Sequence, residues 1–371
     1  MTVEDRVREL AKEVERADAG AIEAARARHL TLTKPPGSLG RLEDLGARLS
    51  GISGVVPPPV PESPAVVVAA GDHGVLDRGV SPWPREVTAA MVENFCAGGA
   101  AVNAIARSVG ARVSVLDVGV ANDLRDHPLL RRARVKARTE DLSRGLAMGR
   151  EEAACAVVAG AGLAEELVGS GGVDLLVTGD MGIGNTTPAA CLIAAFTGRC
   201  AREVTGRGTG IDDETLELKA GIVAEALEFH RPDPGDPLGV LAAVGGLEHA
   251  ALVGVALMGA VYGVPVVLDG VVSNAAALVA VALAPGVAGY LIAGHRSVEP
   301  GARIALEKLG LEPLLGLQMW LGEGTGGLLA VPLVQAAART LGDMATFEEA
   351  GLGGGSSSPE EPSEAAGKER R

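Results

Sequence analysis

The run Thr178-Gly179-Asp180-Met181-Gly182-Ile183-Gly184-Asn185-Thr186-Thr187-Pro188 constrains this chain more than any other stretch. The residues before it, Val173-Asp174-Leu175-Leu176-Val177, are short and mostly apolar, the pattern of a buried strand. The residues after it, Ala189 to Phe196, read as a helix. Thr187 then Pro188 predicts where that helix starts, with an N-cap hydroxyl and a proline at the first helical position. Gly182 and Gly184 would let the backbone approach a ligand, and the free N–H groups of a helix start favour an anion such as phosphate. The loop lacks the Gly-Lys-Ser/Thr of a P-loop and the Gly-x-Gly-x-x-Gly of a dinucleotide site. The plainer reading is a tight βα turn whose glycines serve packing alone. Asp180, Asn185 and two threonines crowded into the same loop favour a ligand site over that reading.

At 371 residues the chain exceeds an ordinary single domain, so a large domain with a smaller one is expected. Aromatic residues make up only 2% against 47% apolar, so the core must be built from Ala, Val, Leu and Gly. A net charge of −14 argues against a nucleic-acid partner, which calls for a basic face. The one basic cluster, Arg131, Arg132, Arg134, Lys136 and Arg138, reads as a solvated face. Cys96, Cys155, Cys191 and Cys200 have no metal-ligand spacing and read as buried free thiols of a reducing compartment. Glu4, Asp5, Arg6 and Arg8 interrupt any secretory signal, and a cytoplasmic location is expected. Residues 250–268 and 270–294 carry no charge apart from the Asp269 between them and are long enough to span a bilayer; Pro265, Asp269, Ser273, Asn274 and Pro285 punctuate them. They parse as helix, strand, helix, strand, and fully buried parallel strands are this apolar, so no membrane partner is expected.

In chain order, residues 3–30 form an amphipathic helix, and a second helix runs to about Ser50. The proline-rich stretch Pro57 to Pro64 marks a domain boundary. Strands are expected at 65–70, 112–118, 173–178, 264–268 and 289–293, separated by helices. That alternation gives a Rossmann-like α/β fold, a parallel sheet with helices on both faces. In such sheets ligands bind at the C-terminal strand ends. Here those ends carry Gly71-Asp72-His73-Gly74, Asp117-Val118-Gly119, the loop above, Asp269-Gly270 and Gly294-His295-Arg296-Ser297. Isolated histidines such as His73 and His295 are more often satisfied core residues than ligands. No spacing demands a metal on Asp72, His73 and Asp269.

Two further stretches carry chemistry. Arg207-Gly208-Thr209-Gly210-Ile211 opens a helix capped by Asp212 or Asp213, and Lys219 lies about two turns into it, pointing at another element or merely solvated. Leu321-Gly322-Glu323-Gly324-Thr325-Gly326-Gly327 sets one carboxylate among glycines before an apolar helix. Glu323 is there either a general base whose pKa burial raises or a helix-capping group.

These motifs, with Lys34-Pro35-Pro36-Gly37-Ser38-Leu39-Gly40 and Gly79-Val80-Ser81, resemble those of the nicotinate-nucleotide–dimethylbenzimidazole phosphoribosyltransferases, in order from about residue 30 to 348. That resemblance implies a Rossmann-like domain at 61–310, with a small helical domain formed by residues 1–60 and 311–350, in a homodimer. It implies transfer of the 5-phosphoribosyl group of nicotinate mononucleotide to 5,6-dimethylbenzimidazole, with inversion at C1′, in assembly of the cobalamin nucleotide loop. Nicotinate leaves as a neutral pyridine nitrogen and no pyrophosphate departs, so neither a cofactor nor a metal is expected. By similarity Glu323 takes the acceptor's ring proton. Gly182, Gly184 and Asn185 cradle the phosphate, helped by Gly208 and Lys219. Asp180, Asp269 and Ser297 lie along the ribose, and Ser81 and Leu321 border the base. The family often carries glutamate at position 180, one methylene longer than this aspartate, and glutamine near Ala90. The missing amide leaves transfer to adenine, another benzimidazole or a phenol open. A non-catalytic nucleotide binder is the competing reading, and Glu323 speaks against it. Residues 351–371, Gly/Ser-rich and then charged, are expected to be a disordered tail.

Overall fold

The computed structural model describes residues 2–352, so the tail expected at 351–371 lies almost wholly outside the described residues. The chain opens with helices α1 (Val3–Glu13), α2 (Ala19–Thr31) and α3 (Arg41–Ser53). The single helix expected over 3–30 is therefore two. Asp18 breaks it: its carboxylate accepts the Ala21 N–H at 3.0 Å to start α2, while its own N–H is given to Gly51 O at 2.8 Å.

The remaining elements alternate. Strand β1 (Pro64–Gly71) leads to α4 (Glu86–Ala97) and α5 (Ala101–Val109), then β2 (Arg112–Gly119), β3 (Leu130–Arg132) and α6 (Arg150–Glu165). Strand β4 (Leu175–Met181) leads to α7 (Thr186–Thr197), α8 (Ala201–Val204), α9 (Asp213–His230), α10 (Pro237–Val244) and α11 (Leu247–Val261). Last come β5 (Val266–Leu268), α12 (Val271–Leu283), β6 (Leu291–Ala293), α13 (Pro300–Leu309) and α14 (Thr325–Asp343). All neighbouring strands are parallel, in the order β3-β2-β1-β4-β5-β6. Every residue of β1 is buried, as its unbroken apolar run requires for a strand covered on both sides. The two covers are read from β4: Leu176 stands against Gly259 of α11, while its neighbour Val177 stands against Gly327 of α14. The uncharged stretches after residue 250 resolve as α11, β5, α12 and β6.

Helix α6 and its continuation to Ser170 are long and apolar enough to cross a membrane by composition. Here one side of α6 is held by α11, and the two helices touch backbone to backbone. A Cβ on Gly160 would strike Ala251 O, and one on Gly254 would strike Val157 O. Strand β3 was not anticipated from the sequence, because its arginines belong to the basic cluster. Arg131 and Arg132 are exposed as expected, but the cluster is paired rather than free: Arg131 with Glu166 at 3.2 Å, and Arg134 with the buried Asp117 at 3.4 Å. Of the four thiols expected to be buried only Cys191 is, its pKa pushed up to about 12 by burial; Cys96 and Cys155 are half-buried and Cys200 is exposed beside the short α8.

The two chain ends meet. Helices α2 and α3 pack on α14 through Ala25, Leu32, Ala47 and Leu341, and Arg28 Nε donates to Leu341 O at 2.8 Å. Leu32 forms an antiparallel bridge to Thr346. Helix α1 stands apart from this group and lies on α6 and α11, burying Val7 and Leu10.

Candidate active site

Strand order reverses between β1 and β4, and a cavity of about 610 Å³ opens at the C-terminal strand ends. Ser81, Asp180, Gly182, Gly184, Asn185, Gly208, Lys219, Ser297 and Leu321 all line it. Asp269 and Glu323 are buried and do not reach its wall. Ala90 is exposed on α4 and also does not line it. Nor does the Lys34–Gly40 loop, which Lys34 and Leu39 anchor to Glu43 Oε1 at 2.8 and 3.1 Å.

One end of the cavity is set by the start of α7. The helix begins at Thr186 with Asn185 as N-cap, two residues before the start expected from Thr187 and Pro188. Pro188 is accommodated because the first helical turn needs no intrahelical N–H donor. Gly184 has φ +90°, a conformation that favours glycine. Gly182 is bare for packing: a Cβ there would strike Gly71 O and come within 3.0 Å of His73 Nε2. Lys219, 2% exposed, reaches across from α9, where Asp212 is the N-cap. Its Nζ donates to Thr186 Oγ1 at 2.6 Å and to Gly206 O at 3.0 Å. Burial lowers its pKa to about 8, with the Glu299 carboxylate opposing. Glu299 was not anticipated. It precedes Pro300 at the start of α13 without capping it, and its Oε1 accepts the Gly208 N–H at 2.8 Å.

The acidic residues lie deeper. Asp180, 8% exposed, accepts Asn185 Nδ2 at 2.9 Å. Burial, then the charges of Asp269 and Glu248, raise its pKa well above the ordinary carboxylate value, against the Asn185 bond. Asp269 caps α14: Oδ1 accepts the N–H groups of Gly326 and Gly327 at 2.7 and 3.0 Å, and Oδ2 that of Gly324 at 3.0 Å. Glu323 is the next layer. Its carboxylate accepts the Val102 N–H at 3.4 Å, so it faces the start of α5 rather than its own helix. Burial raises its pKa, with the Val102 bond opposing and Asp269 adding to the rise. Gly322, Glu323 and Gly324 take φ of +83°, +63° and +89°, an unusual run that puts the Glu323 carbonyl 2.6 Å from where a Gly179 Cβ would stand. The two glycine motifs thus fit only against each other.

The candidate metal residues are each engaged elsewhere. Asp72 accepts the Ala121 N–H at 2.8 Å. His73 Nε2 lies 3.0 Å and His249 Nδ1 2.7 Å from Glu248 Oε1, all three fully buried beneath Gly182. Burial works to raise the Glu248 pKa, but the two imidazoles outweigh it and hold it well below the carboxylate range. His295 Nε2 stands 3.4 Å from Asp269 Oδ1.

The family model described as phosphoribosyltransferase matches residues 14–352. This chain belongs to that family. It is 55% identical over 335 residues to the nicotinate-nucleotide–dimethylbenzimidazole phosphoribosyltransferase of Salinispora tropica, covering 86% of this chain and 92% of the relative. Over 347 residues it is 49% identical to the enzyme of that name from Desulforamulus reducens, covering 94% and 99%. The crystal structure of the phosphoribosyltransferase from Thermus thermophilus matches with a TM-score of 0.86 at 49% identity, over 91% of this chain and 100% of the other. The family's parallel sheet and its helical cover are those described above, and the chain is a transferase.

Proposed function

We propose that this phosphoribosyltransferase moves the 5-phosphoribosyl group of nicotinate mononucleotide to 5,6-dimethylbenzimidazole, inverting C1′ and giving α-ribazole 5′-phosphate and nicotinate. The observation that carries the reading is a single cavity with a lysine, a helix start and the Asp180 carboxyl on its wall, and the buried Glu323 carboxyl just behind the Leu321–Gly322 stretch that lines it. Phosphate binds at the α7 start, against Gly182, Gly184, Asn185, Gly208 and Lys219. Asp180 and Ser297 lie along the ribose. Asp269 serves the ribose from a distance, by fixing Gly324 to Gly327. The C1′–N bond breaks with its electron pair going to the nicotinate nitrogen. One acceptor nitrogen forms the new bond from the opposite face, and the proton on the other passes to Glu323, which turns from α5 past Gly322. Ser81 and Leu321 border the base. Both substrates held in line supply much of the rate. The enzyme works in the cytoplasm, in keeping with its unpaired cysteines, and as a homodimer. A second subunit gives the exposed Pro35–Ser38 loop a surface to meet.

The test is nicotinate release from nicotinate mononucleotide without added metal, with and without dimethylbenzimidazole. Release that depends on the base and yields α-ribazole phosphate supports the reading. Release with a different base alone would change the acceptor, and none with any base, despite nucleotide binding, would leave a binding protein.

A further inference from the structure

The chain contains two tryptophans, Trp83 and Trp320, and aromatic residues are 2% of it. A tryptophan gains more by burial than any other side chain, yet Trp320 is left 58% exposed. It lines the cavity with its neighbours Met319 and Leu321, and the same wall includes the buried Val80 and Val272. No Phe, Tyr or other Trp is among the described residues of that wall. The loop holding it is bound to the β6 end by Arg296 N–H to Leu315 O at 2.7 Å and Val298 N–H to Met319 O at 3.2 Å. Gln318 then takes φ +57°, a strained conformation for a side chain, and turns the next residues onto the rim. From Trp320 the chain runs two residues to Gly322 and then to Glu323.

We propose that Trp320 is the stacking face for the acceptor base, and that it makes the site prefer a fused two-ring heteroaromatic over a single ring. This rests on the function proposed above. The donor's phosphate belongs to the Lys219 end and its ring carries a cationic nitrogen and a carboxylate, so the flat uncharged ring that the indole can serve is the acceptor. Stacking grows with overlapped ring area, so a bicyclic base gains more from the indole than a monocyclic one does. A ring held there is delivered beside Gly322, next to the residue that takes its proton.

The experiment uses full-length protein. In a Trp83→Phe background Trp320 is the sole tryptophan, and titration with dimethylbenzimidazole, excited near 300 nm to avoid the base's absorbance, should quench its emission saturably. Trp320→Ala should raise KM for dimethylbenzimidazole roughly tenfold while KM for nicotinate mononucleotide stays within about twofold. Trp320→Phe should recover most of the loss, and KM for a monocyclic phenol should move little. Equal KM changes for both acceptors, or no quenching, overturn the proposal. So does blue-shifted emission that ignores the base while Trp320→Ala alters the oligomeric state, which would assign the indole to a contact between copies. Wild-type protein that releases no nicotinate with any base would instead remove the function itself, independently of these variants.

Discussion

At the donor end of the cavity the charged and amide side chains have partners in place: Lys219 Nζ holds Thr186 and Gly206, Glu299 holds Gly208, and Asn185 holds Asp180. At the acceptor end Trp320 and Leu321 are exposed, Glu323 rests on one 3.4 Å bond, and the backbone is left-handed at Gln318 and through Gly322–Gly324. The first is a finished surface that waits for an anion. The second has a strained backbone and a loosely tied Glu323 side chain, as a base must be if it is to change direction when the acceptor arrives. Donor affinity should therefore be insensitive to changes at the acceptor end.

The sharpest test is Glu323→Gln. It should cut turnover by about 10²–10⁴-fold, the range for a lost general base, while calorimetry gives a nicotinate mononucleotide Kd within about twofold of wild type. A matching loss of donor affinity would break the comparison. From the other side, Lys219→Met should lower kcat/KM for the donor roughly 10- to 100-fold and leave KM for the base alone. A pH profile probes both ends at once. Lys219 must be charged to bind phosphate, so kcat/KM for the donor should fall as pH rises through about 8. Glu323 must be ionised to take a proton, and its pKa is raised, so the acid limb should lie above the ordinary carboxylate range. No fall through pH 10 would exclude the Lys219 assignment, and an acid limb at or below the ordinary carboxylate value would exclude that of Glu323. The smallest effect is at Gln318→Gly, which removes a left-handed strain of about 1 kcal/mol and should raise stability by no more than that in denaturant unfolding. A clear loss of stability would mean that the rim is not strained.

What the sequence revealed depended on how far apart the partners lie. Strand β1 and the phosphate loop were legible because apolar runs, glycines and a helix start are local patterns. Even there β4 extends further than its apolar letters suggest, since Gly179, Asp180 and Met181 stay paired with Val68, Ala69 and Ala70. The start of α7 differs from the expected one because Asn185 adopts helical φ and ψ and takes the N-cap position with its side chain on Asp180 rather than on its own helix. Strand β3 was hidden by its length of three residues and its two arginines. The task of Asp269 could not be read locally, because the amides it holds are 55 to 58 residues away. Glu299 gave only a weak signal, an acid before a proline that leaves its own helix start uncapped.

The Asp269 cap has a consequence for how the enzyme comes into being. All six strands, Lys219 and the phosphate loop are complete by residue 293, but the three amides that Asp269 needs arrive with Gly324 to Gly327. A growing chain that has not yet reached them leaves the Asp269 carboxylate uncapped and one face of the sheet without α14. The stretch that carries the base is thus also the stretch that closes the fold, so the enzyme gains its reactive group and its finished core in the same step of synthesis.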